Sequence, residues 1–570
     1  MAHPARAEAT TGSADGAASG TISRRSAPLV PPRTPHEESM VAIWRDVLDR
    51  PDIGVLDDFF DLDGNSMHAI RVITQIRETY GVSVRAIDFF ESPTVETLAA
   101  FVAAQTAPER PVVGPRPPDA EPVLSLDQHR LWLADQLVPG GAYNVHGRRR
   151  LLGPLDVGVL EASIRAIRDR HETLRTRFPD IDGEPLQIVD DPDPGWRLRI
   201  ADVSDAADPL AAAVRVLDED AMTSLNLAEG PLFLSLLVKL SDSDHVLGIT
   251  AHHTVCDNGS VALFVKELSA LYRAGGDPAR AELAPLTIQY RDFAVWQRQW
   301  LAGDAINREL DYWREHLAGA PKELTLPAAA PPAVGSAARG GRLRAALPVD
   351  ETAALHELGR THDVTVFMTL LALFTSVLAR WSGQRDVVVG VPMTGRTDAG
   401  TRGLIGLFFN TLPIRVRLDG DPTVAEVLGR AREAALGGYA HPDVPLDVIV
   451  RHVSRTRVRD RTPLFQVMLN VVDVNRGDTG LGDVVDEPMD SPVLPSKLDF
   501  LLTVREMDGS VHLELEFDAD RYDEARARDL VEEMRTLLRA ACADPGTAVF
   551  DERTAAPTAS APPAPKETRP

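Results

Sequence analysis

Cysteine is scarce in this chain, which has only Cys256 and Cys542 among its 570 residues. A disulfide framework is therefore implausible, and the scarcity favours a reducing compartment, so we expect a cytoplasmic protein. Cys256 has no neighbouring cysteine and lies between a histidine pair and Asp257. We interpret it as a small packing residue rather than a nucleophile.

Long apolar runs and an excess of positive charge are also missing. No segment is long and apolar enough to span a bilayer, and the first residues lack the apolar centre of a signal peptide. The chain has 60 basic and 84 acidic residues, which gives a net charge of −24. Such a charge argues against a general surface for nucleic acid or anionic lipid. We expect neither as a partner, and no residue pattern indicates a metal site.

Three segments have the composition of tails or linkers. Residues 1–33 are rich in Ala, Gly, Ser, Arg and Pro, and residues 551–570 are rich in Pro and Ala, which predicts disorder in both. Residues 106–120 contain five prolines, which predicts a stiff linker. These segments leave a small domain over residues 34–105 and a large one over residues 121–550.

The small domain shows the spacing of a helical bundle. Thr34, followed by Pro35, early acidic residues and apolar residues at helical spacing, predicts a capped helix. A second helix is predicted after Ser66, which by itself would be an N-cap residue, and Thr94 is predicted to cap a last helix through Val102. With the segment over residues 87–95 that closes the unit, four helical segments make a four-helix bundle.

The large domain alternates helix and strand patterns, which predicts an α/β fold. An Ala/Pro/Gly-rich stretch over residues 321–341 separates two halves, at about residues 121–320 and 342–550. The short apolar run over residues 246–250 predicts a buried strand, and the apolar spacing from Ser260 onward predicts a helix.

A histidine pair, His252 and His253, lies on the turn between this strand and this helix. Asp257, Asn258 or Ser260 could cap the helix. A side chain on such a turn can face a cleft while the strand holds it, which suits an imidazole that handles protons. Adjacent residues of a strand point to opposite faces, so we expect at most one of the two histidines to reach a substrate.

The segment from His252 to Asn258, HHTVCDN, resembles the HHxxxDG motif of nonribosomal peptide synthetase condensation domains. Other segments that resemble motifs of this family follow in the family's order: SLDQHRLW over 125–132, RHETLRTRF over 170–178, YRDFAVW over 290–296, GVPMTGR over 390–396, IGLFFNTLP over 405–413, HPDVP over 441–445 and RDRTPLFQV over 459–467. The resemblance covers about residues 121–550. It implies two chloramphenicol-acetyltransferase-like lobes in a V-shaped pseudo-dimer, with the active site in a channel between them.

The resemblance also implies roles for single residues. His253 would be the general base toward the acceptor or a hydrogen-bonding positioner, and the sequence leaves both open. His252 and Asp257 would be structural, with Asp257 paired to an arginine of the second half, for which Arg396 is the candidate. By resemblance only, two further residues would lie near the channel, where they could equally be satisfied core polar groups: Asn410 and Thr411.

One position departs from the family motif, because Asn258 stands where the family has glycine. A glycine there suggests a positive φ or a close backbone approach, and asparagine is the side chain that best tolerates a positive φ. Gly259 follows directly. We therefore expect the turn to survive with a side chain standing in the channel, so acceptor choice could be altered.

The small domain resembles a peptidyl carrier protein over about residues 36–104. Its lead-in, Asp57-Asp58-Phe59-Phe60, is followed by Asp63-Gly64-Asn65-Ser66, where the family usually has two glycines before the serine. The resemblance implies that Ser66 carries 4′-phosphopantetheine in a phosphodiester. A helix N-terminus suits the negative charge of such a group.

The two resemblances together predict a carrier–condensation protein of secondary-metabolite biosynthesis. It would transfer an acyl or peptidyl group from pantetheine on Ser66 to an amine or hydroxyl acceptor, forming an amide or an ester. The partners implied are a phosphopantetheinyl transferase, an adenylation domain or upstream synthetase acting in trans, and a downstream carrier or free small-molecule acceptor.

Three other interpretations compete with this one. A catalytically silent domain that recruits a partner enzyme to a carrier-bound peptide is kept open by Asn258. An epimerisation domain shares the histidine pair, but the segments over residues 405–413 and 465–467 resemble the condensation type. A heterocyclisation domain is disfavoured because its aspartate-based replacement of the histidine pair is absent.

Overall fold

The computed structural model describes residues 29–62, 64–82, 84–105, 111–137, 140–303, 305–328, 339–396, 398–453, 462–472, 480–507 and 509–551. Most of the two predicted tails, residues 1–28 and 552–570, lies outside the described residues. The same holds for Asp63, for the start of the linker at residues 106–110, and for Arg459 and Asp460.

Four helices form the first unit: α1 (Pro35–Leu48), α2 (Ser66–Tyr80), α3 (Ala86–Glu91) and α4 (Val95–Ala103). The predicted caps are present, since Thr34 accepts a hydrogen bond from the Glu37 N–H and Thr94 one from the Thr97 N–H. The bundle closes on three buried aromatic rings: Trp44, Phe59 and Phe89. Gly64 lies against one of them, since a Cβ there would come within 2.4 Å of Phe59.

Residues 29–33 differ from the prediction of a disordered tail to residue 33. The Val55 N–H donates to the Val30 carbonyl at 2.9 Å, and Arg33 pairs with Glu37 and Glu96. Composition alone does not predict that these five residues are ordered, because the partners that hold Val30 and Arg33 lie farther along the chain.

A first half of the large region contains helices α5 (Leu126–Leu137), α6 (Val157–Arg170), α7 (Pro209–Ala221), α8 (Asn258–Arg273), α9 (Tyr290–Leu301) and α10 (Ala305–His316). Its strands are β1 (Asn144–Leu152), β2 (Thr176–Arg177), β3 (Asp180–Ile181), β4 (Glu184–Pro185), β5 (Ile188–Val189), β6 (Arg199–Asp202), β7 (Phe233–Ser241) and β8 (Asp244–His252). The predicted strand before the histidines is β8, which pairs antiparallel with both β1 and β7.

The second half contains helices α11 (Val349–Thr361), α12 (Val366–Ser382), α13 (Ala399–Arg402), α14 (Val424–Tyr439), α15 (Leu446–Val453) and α16 (Glu524–Ala543). Its strands are β9 (Gly340–Ala346), β10 (Asp386–Thr394), β11 (Phe409–Arg417), β12 (Val467–Val472), β13 (Val485–Pro488), β14 (Phe500–Met507) and β15 (Ser510–Asp518). Six of them form one sheet in the order β11-β10-β12-β14-β15-β9. The core helix α12 lies among them, with most of its residues buried.

Strand β13 does not join the sheet of its own half. It pairs antiparallel with β1, giving a first-half sheet of order β13-β1-β8-β7-β6. An ion pair between Arg149 and Asp486 accompanies this pairing. The second half therefore completes the sheet that carries the histidines, which fastens the two halves to each other.

The end of the proline-rich linker is held against the large region. The Trp296 indole donates to the Pro111 carbonyl at 3.0 Å, and the Val113 N–H donates to the Asp398 carboxylate at 3.1 Å. The structure thus joins a helical unit to an α/β region of two halves, and the predicted fold class is confirmed. Among the described residues, no single helix is long and apolar enough to cross a membrane, although α11 and α12, bent by 101°, meet that criterion as a pair.

Candidate active site and carrier attachment site

Strand β8 ends at His252, whose side chain is completely buried. The Thr254 N–H donates to His252 Nδ1 at 3.2 Å, and Nε2 lies 3.5 Å from the Asp135 carboxylate. Because Nδ1 accepts a hydrogen bond, the neutral ring carries its proton on Nε2. His252 is thereby fixed inside the first half.

His253 follows at the start of the turn and is half-buried. Its backbone N–H donates to the Tyr143 carbonyl at 2.8 Å, and its ring lies 4.7 Å from the ring of Phe409, which starts β11 in the second half. Within the described part of the chain, Nδ1 has no hydrogen-bond partner. His253 therefore stands where the two halves meet, with an unused ring nitrogen.

The surroundings keep His253 neutral. Burial lowers its pKa to about 4, with smaller contributions from Lys497 and His252, while Asp257 acts in the opposite direction. At neutral pH the ring is therefore uncharged and can accept a hydrogen bond. A pKa of about 4 also makes it a weak base.

Asp257 is the N-cap of α8 and is buried. Its Oδ1 accepts hydrogen bonds from the Ser260 N–H at 2.7 Å and from Arg396 Nη2 at 2.8 Å, and its Oδ2 accepts one from the Phe408 N–H at 2.9 Å. Burial by itself raises the pKa of Asp257, but Arg396 and the hydrogen bonds outweigh it, so that the net pKa is lowered. The carboxylate is thus ionised, and both of its oxygens accept hydrogen bonds.

Arg396 ties this carboxylate to the second half. Its Nη1 donates to the carbonyls of Thr401 and Leu404, at 3.1 and 2.6 Å, and its guanidinium lies 4.3 Å above the ring of Phe408. The structure thus brings together the two residues that the resemblance suggested as a pair. Their geometry is that of an interlobe connection rather than of groups free to meet a substrate.

Of the two reasons suggested for a glycine at position 258, a positive φ does not apply. Asn258 and Gly259 do not have positive φ but are the first two residues of α8, because the Asp257 cap starts the helix directly before them. Space explains the small residue at position 259, since a Cβ there would lie 3.3 Å from Arg396 Nε. The Asn258 side chain is exposed.

Asn410 and Thr411 lie on β11 and are buried. The Asn410 amide donates to the carbonyls of Pro442 and Val444, at 2.9 and 2.7 Å, and its Oδ1 accepts from the N–H of Leu446 at 3.2 Å. These contacts fix the segment before α15. They favour the interpretation of Asn410 as a satisfied core polar residue.

Three residues beside the histidines carried no signal in the sequence that we recognised. Asp135 ends up opposite His252, Tyr143 holds the backbone of His253, and Lys497 Nζ lies 3.3 Å above the Tyr143 ring. Lys497 comes from the segment before β14 and is reached by solvent. Nothing local marks a lysine there, because its position beside His253 depends on the path of the second half.

Cys256 is buried within the core of the first half. Burial raises the pKa of its thiol far above the ordinary value, and the neighbouring Asp257 adds to this effect. The thiolate that a nucleophile needs is therefore disfavoured, in agreement with a packing role.

Ser66 is the first residue of α2, and Asn65, not Ser66, is its N-cap. The Ser66 hydroxyl therefore does not cap the helix, and it faces the second half of the large region. Its Oγ lies 2.9 Å from Oγ1 of Thr365, the N-cap of α12. Only 4% of Ser66 is exposed.

An apolar face of the helical unit surrounds this contact. Ala86 is buried together with the core of the second half, and three other side chains pack against that core: Ile70, Ile73 and Phe90. One ion pair, Glu78–Arg402 at 3.0 Å, borders the contact between α2 and α13. We name this contact, formed by these six residues, the docking face.

Burial disfavours the charges of both Glu78 and Arg402, raising the pKa of Glu78 and lowering that of Arg402, so we expect docking to weaken when either charge loses its partner. Arg402→Glu places two carboxylates together, and the restoring double change Glu78→Arg with Arg402→Glu reverses the pair. Crosslinking between cysteines placed at positions 66 and 365, whose hydroxyl oxygens lie 2.9 Å apart, should fall several-fold in the single variant and recover in the double one. Equal crosslinking in all three proteins would contradict this contact.

Comparison with known proteins agrees with this geometry. A family model described as the condensation domain matches residues 120–561, and one described as the phosphopantetheine attachment site matches residues 38–102. Both resemblances seen in the sequence are thus confirmed.

The curated relatives are peptide synthetases much longer than this chain. One of the linear gramicidin synthase proteins of Brevibacillus parabrevis is 38% identical over 518 residues, which cover 90% of this chain and 10% of that protein. Phosphinothricin tripeptide synthetase PhsB of Streptomyces viridochromogenes is 36% identical over 513 residues, which cover 88% of this chain and 43% of that protein. The chain spans only 7 to 11% of the three linear gramicidin synthase proteins it matches.

Two kinds of solved structure are similar to the large region. The X-domain from teicoplanin biosynthesis is 28% identical with a TM-score of 0.71, and the match covers 77% of this chain and 99% of that one. The first condensation domain of the CDA synthetase is 26% identical with a TM-score of 0.64, covering 76% and 98%. The X-domain has also been solved in a complex with OxyB.

Proposed function

Because this chain belongs to the condensation-domain family and joins that domain to a phosphopantetheine carrier domain, we propose that it is an acyltransferase acting on its own carrier. It would move an acyl or peptidyl group from a thioester held on Ser66 to an amine or hydroxyl acceptor, forming an amide or an ester. The observation that carries this proposal is the site of His253, a partly exposed imidazole at the junction of the two halves, 4.7 Å from the Phe409 ring.

His253 is assigned the acceptor side of the reaction. Nδ1 is buried, so the other ring nitrogen, Nε2, would accept a hydrogen bond from the incoming amine or hydroxyl and so orient the nucleophile toward the acyl carbon. Since a pKa of about 4 makes the ring a weak base, positioning is the larger part of this role, and proton acceptance becomes effective only as the new bond forms. Asp257, Arg396 and His252 would hold the turn that presents it.

Ser66 is assigned the donor side. Phosphopantetheine attached to it supplies a long arm whose terminal thiol carries the acyl group as a thioester. The hydroxyl of Thr365 beside the serine oxygen suits a phosphodiester, whose oxygens accept hydrogen bonds. Because Ser66 is 4% exposed in the docked position, a modifying enzyme would reach it only after the carrier leaves the docking face.

Partners follow from the carrier and condensation domains. A phosphopantetheinyl transferase would modify Ser66, and an adenylation domain or upstream synthetase would supply the acyl group. The acceptor would come on a downstream carrier or as a free small molecule. The unpaired cysteines, Cys256 and Cys542, are compatible with the cytoplasm as the place of the reaction.

Intact-protein mass spectrometry tests this function. Ser66 is loaded enzymatically with an acyl-pantetheine arm, and the acyl mass is followed with amines, alcohols and carrier-bound acceptors, in the wild type and in His253→Ala. We expect an acceptor-dependent loss of the acyl mass, matched by a product and slower in the variant. Ser66→Ala is the loading control and should acquire no arm.

A second function, recruitment of a partner enzyme without catalysis, is favoured by one observation. The TM-score with the X-domain, 0.71, exceeds that with the CDA condensation domain, 0.64, and the X-domain forms a complex with OxyB. The intact histidine pair and Asp257 oppose it. Loading of Ser66 with no acceptor discharging the arm faster in the wild type than in His253→Ala would favour recruitment for the acceptors tested.

A further inference from the structure

Phe409 brings the second half into contact with the His253 ring. It is the first residue of β11, and the centre of its ring lies 4.7 Å from the centre of the His253 ring, with the two planes inclined by 46°. Rings at this separation are in van der Waals contact. Both side chains are partly exposed. Phe409 therefore forms one wall of the space that a substrate of His253 would enter.

The chain is held on both sides of Phe409. Before it, the Phe408 N–H donates to the Asp257 carboxylate at 2.9 Å. After it, the Asn410 side chain donates to two carbonyls of the segment before α15, at 2.9 and 2.7 Å. Asp257 is also the N-cap of α8, the helix that follows the turn of His253. One carboxylate thus holds both sides of the contact between the two rings, so the wall that Phe409 forms is a fixed one.

An acceptor bound to His253 comes close to this wall. Nδ1 of His253 is buried, which leaves Nε2 for the incoming nucleophile. Since the ring centres are 4.7 Å apart, a nucleophile at a hydrogen-bond distance of about 3 Å from Nε2 lies within about 9 Å of the centre of the Phe409 ring. A substituent of two or three carbon atoms on the nucleophile is long enough to reach the ring.

From this geometry we propose that Phe409 is a specificity-determining residue, which limits the bulk of the substituent next to the amine or hydroxyl of the acceptor. This inference rests on the proposed role of His253 toward the acceptor. The Phe409 ring is large, entirely apolar and held by its neighbours in the chain, so it excludes a branched or aromatic substituent by steric overlap. The acceptors that it admits are small primary amines and alcohols with little substitution beside the reacting group.

A binding experiment tests this selection without any transfer. The full chain, with no arm on Ser66, is labelled with ¹³C at histidine Cε1, and the His253 signal is identified by its loss in His253→Gln. The signal is titrated with glycinamide, valinamide and phenylalaninamide at about pH 8, where their amino groups are partly neutral. In the wild type we expect glycinamide to bind about tenfold more tightly than valinamide. Phe409→Ala should remove most of this difference, Phe409→Leu should remove part of it, and Phe409→Trp should increase it.

A competition experiment makes the same comparison during transfer. The chain with an acyl-pantetheine arm on Ser66 is offered equal concentrations of the three amides, and the products are quantified by mass spectrometry. The ratio of valinamide product to glycinamide product should rise about tenfold in Phe409→Ala. Loss of folded protein lowers all products equally, so a merely structural role of Phe409 would leave this ratio unchanged.

The outcomes separate this inference from the proposed function. Equal preferences in the wild type and in Phe409→Ala would overturn the inference, even if the chain transfers its acyl group. A His253 signal that none of the amides perturbs would also overturn it, because the acceptor would then bind elsewhere. A shifted binding preference in a chain that transfers nothing would support the role of Phe409 while the acyltransferase function failed.

Discussion

Replacing His253 by alanine is expected to slow acyl transfer by about 10² to 10⁴-fold. The ring lies at the junction between β8 and β11, and the variant removes the group that we propose orients the acceptor. Loss need not be complete, because a thioester is already activated and the channel still brings the reactants together. The measurement is single-turnover discharge of the acylated carrier, followed by intact mass.

The matched control is His356→Ala, an exposed histidine of α11 paired with Glu506. It removes an imidazole far along the chain from the turn and should leave the transfer rate unchanged. The folded state of His253→Ala is checked by its thermal unfolding, which should stay close to that of the wild type because the ring is only half-buried. Wild-type rates in His253→Ala would exclude the assigned role.

Breaking the Asp257–Arg396 pair is expected to have the largest effect on stability. Arg396→Ala leaves the buried Asp257 carboxylate without its cation, and removing one partner of a buried pair commonly costs about 3 to 5 kcal/mol in the free energy of unfolding. The loss also frees the carbonyls of Thr401 and Leu404, which Arg396 caps. Urea unfolding of the wild type and of Arg396→Ala measures this loss in the free energy of unfolding.

Two controls make this result specific. Arg360→Ala removes an arginine from the exposed pair with Glu357 and should leave the free energy of unfolding almost unchanged, because water screens exposed ion pairs. The double variant Asp257→Asn with Arg396→Met leaves no uncompensated charge and should lose less than the sum of the two single changes. A loss in Arg396→Ala as small as that in Arg360→Ala would contradict the interlobe role.

The same pair predicts how stability changes with pH. The pKa of Asp257 is lowered in the folded protein, so the folded state gains stability from its ionised form above the ordinary carboxyl range, around pH 4. This stability is lost as the pH falls through the folded-state pKa. In Arg396→Ala, the free energy of unfolding should change less with pH in this acid range, as measured by urea unfolding at a series of pH values.

The helix caps show where sequence reasoning succeeds. Thr34 and Thr94 start their helices as predicted, because a cap is a hydrogen bond between residues three positions apart. For α2 the same reasoning predicted Ser66 as the N-cap, but the cap is the preceding residue, Asn65. Asparagine and serine both cap helices well, and only the path of the backbone decides between them. At Asn258 the family's glycine suggested a positive φ as one possibility, whereas the structure makes Asn258 the first residue of helix α8.

The sequence by itself determined the local parts: the strand, turn and helix around His252 and His253, the bundle helices, and the motifs that resemble a condensation and a carrier domain. Each depends on residues within a few positions, whose hydrogen bonds and apolar spacing can be recognised without the fold. Only the tertiary structure decided that Lys497 reaches Tyr143, that Ser66 lies against Thr365, and that β13 completes the other half's sheet. These contacts join residues hundreds of positions apart, and they are set by the packing of whole sheets and helices, which no local pattern records.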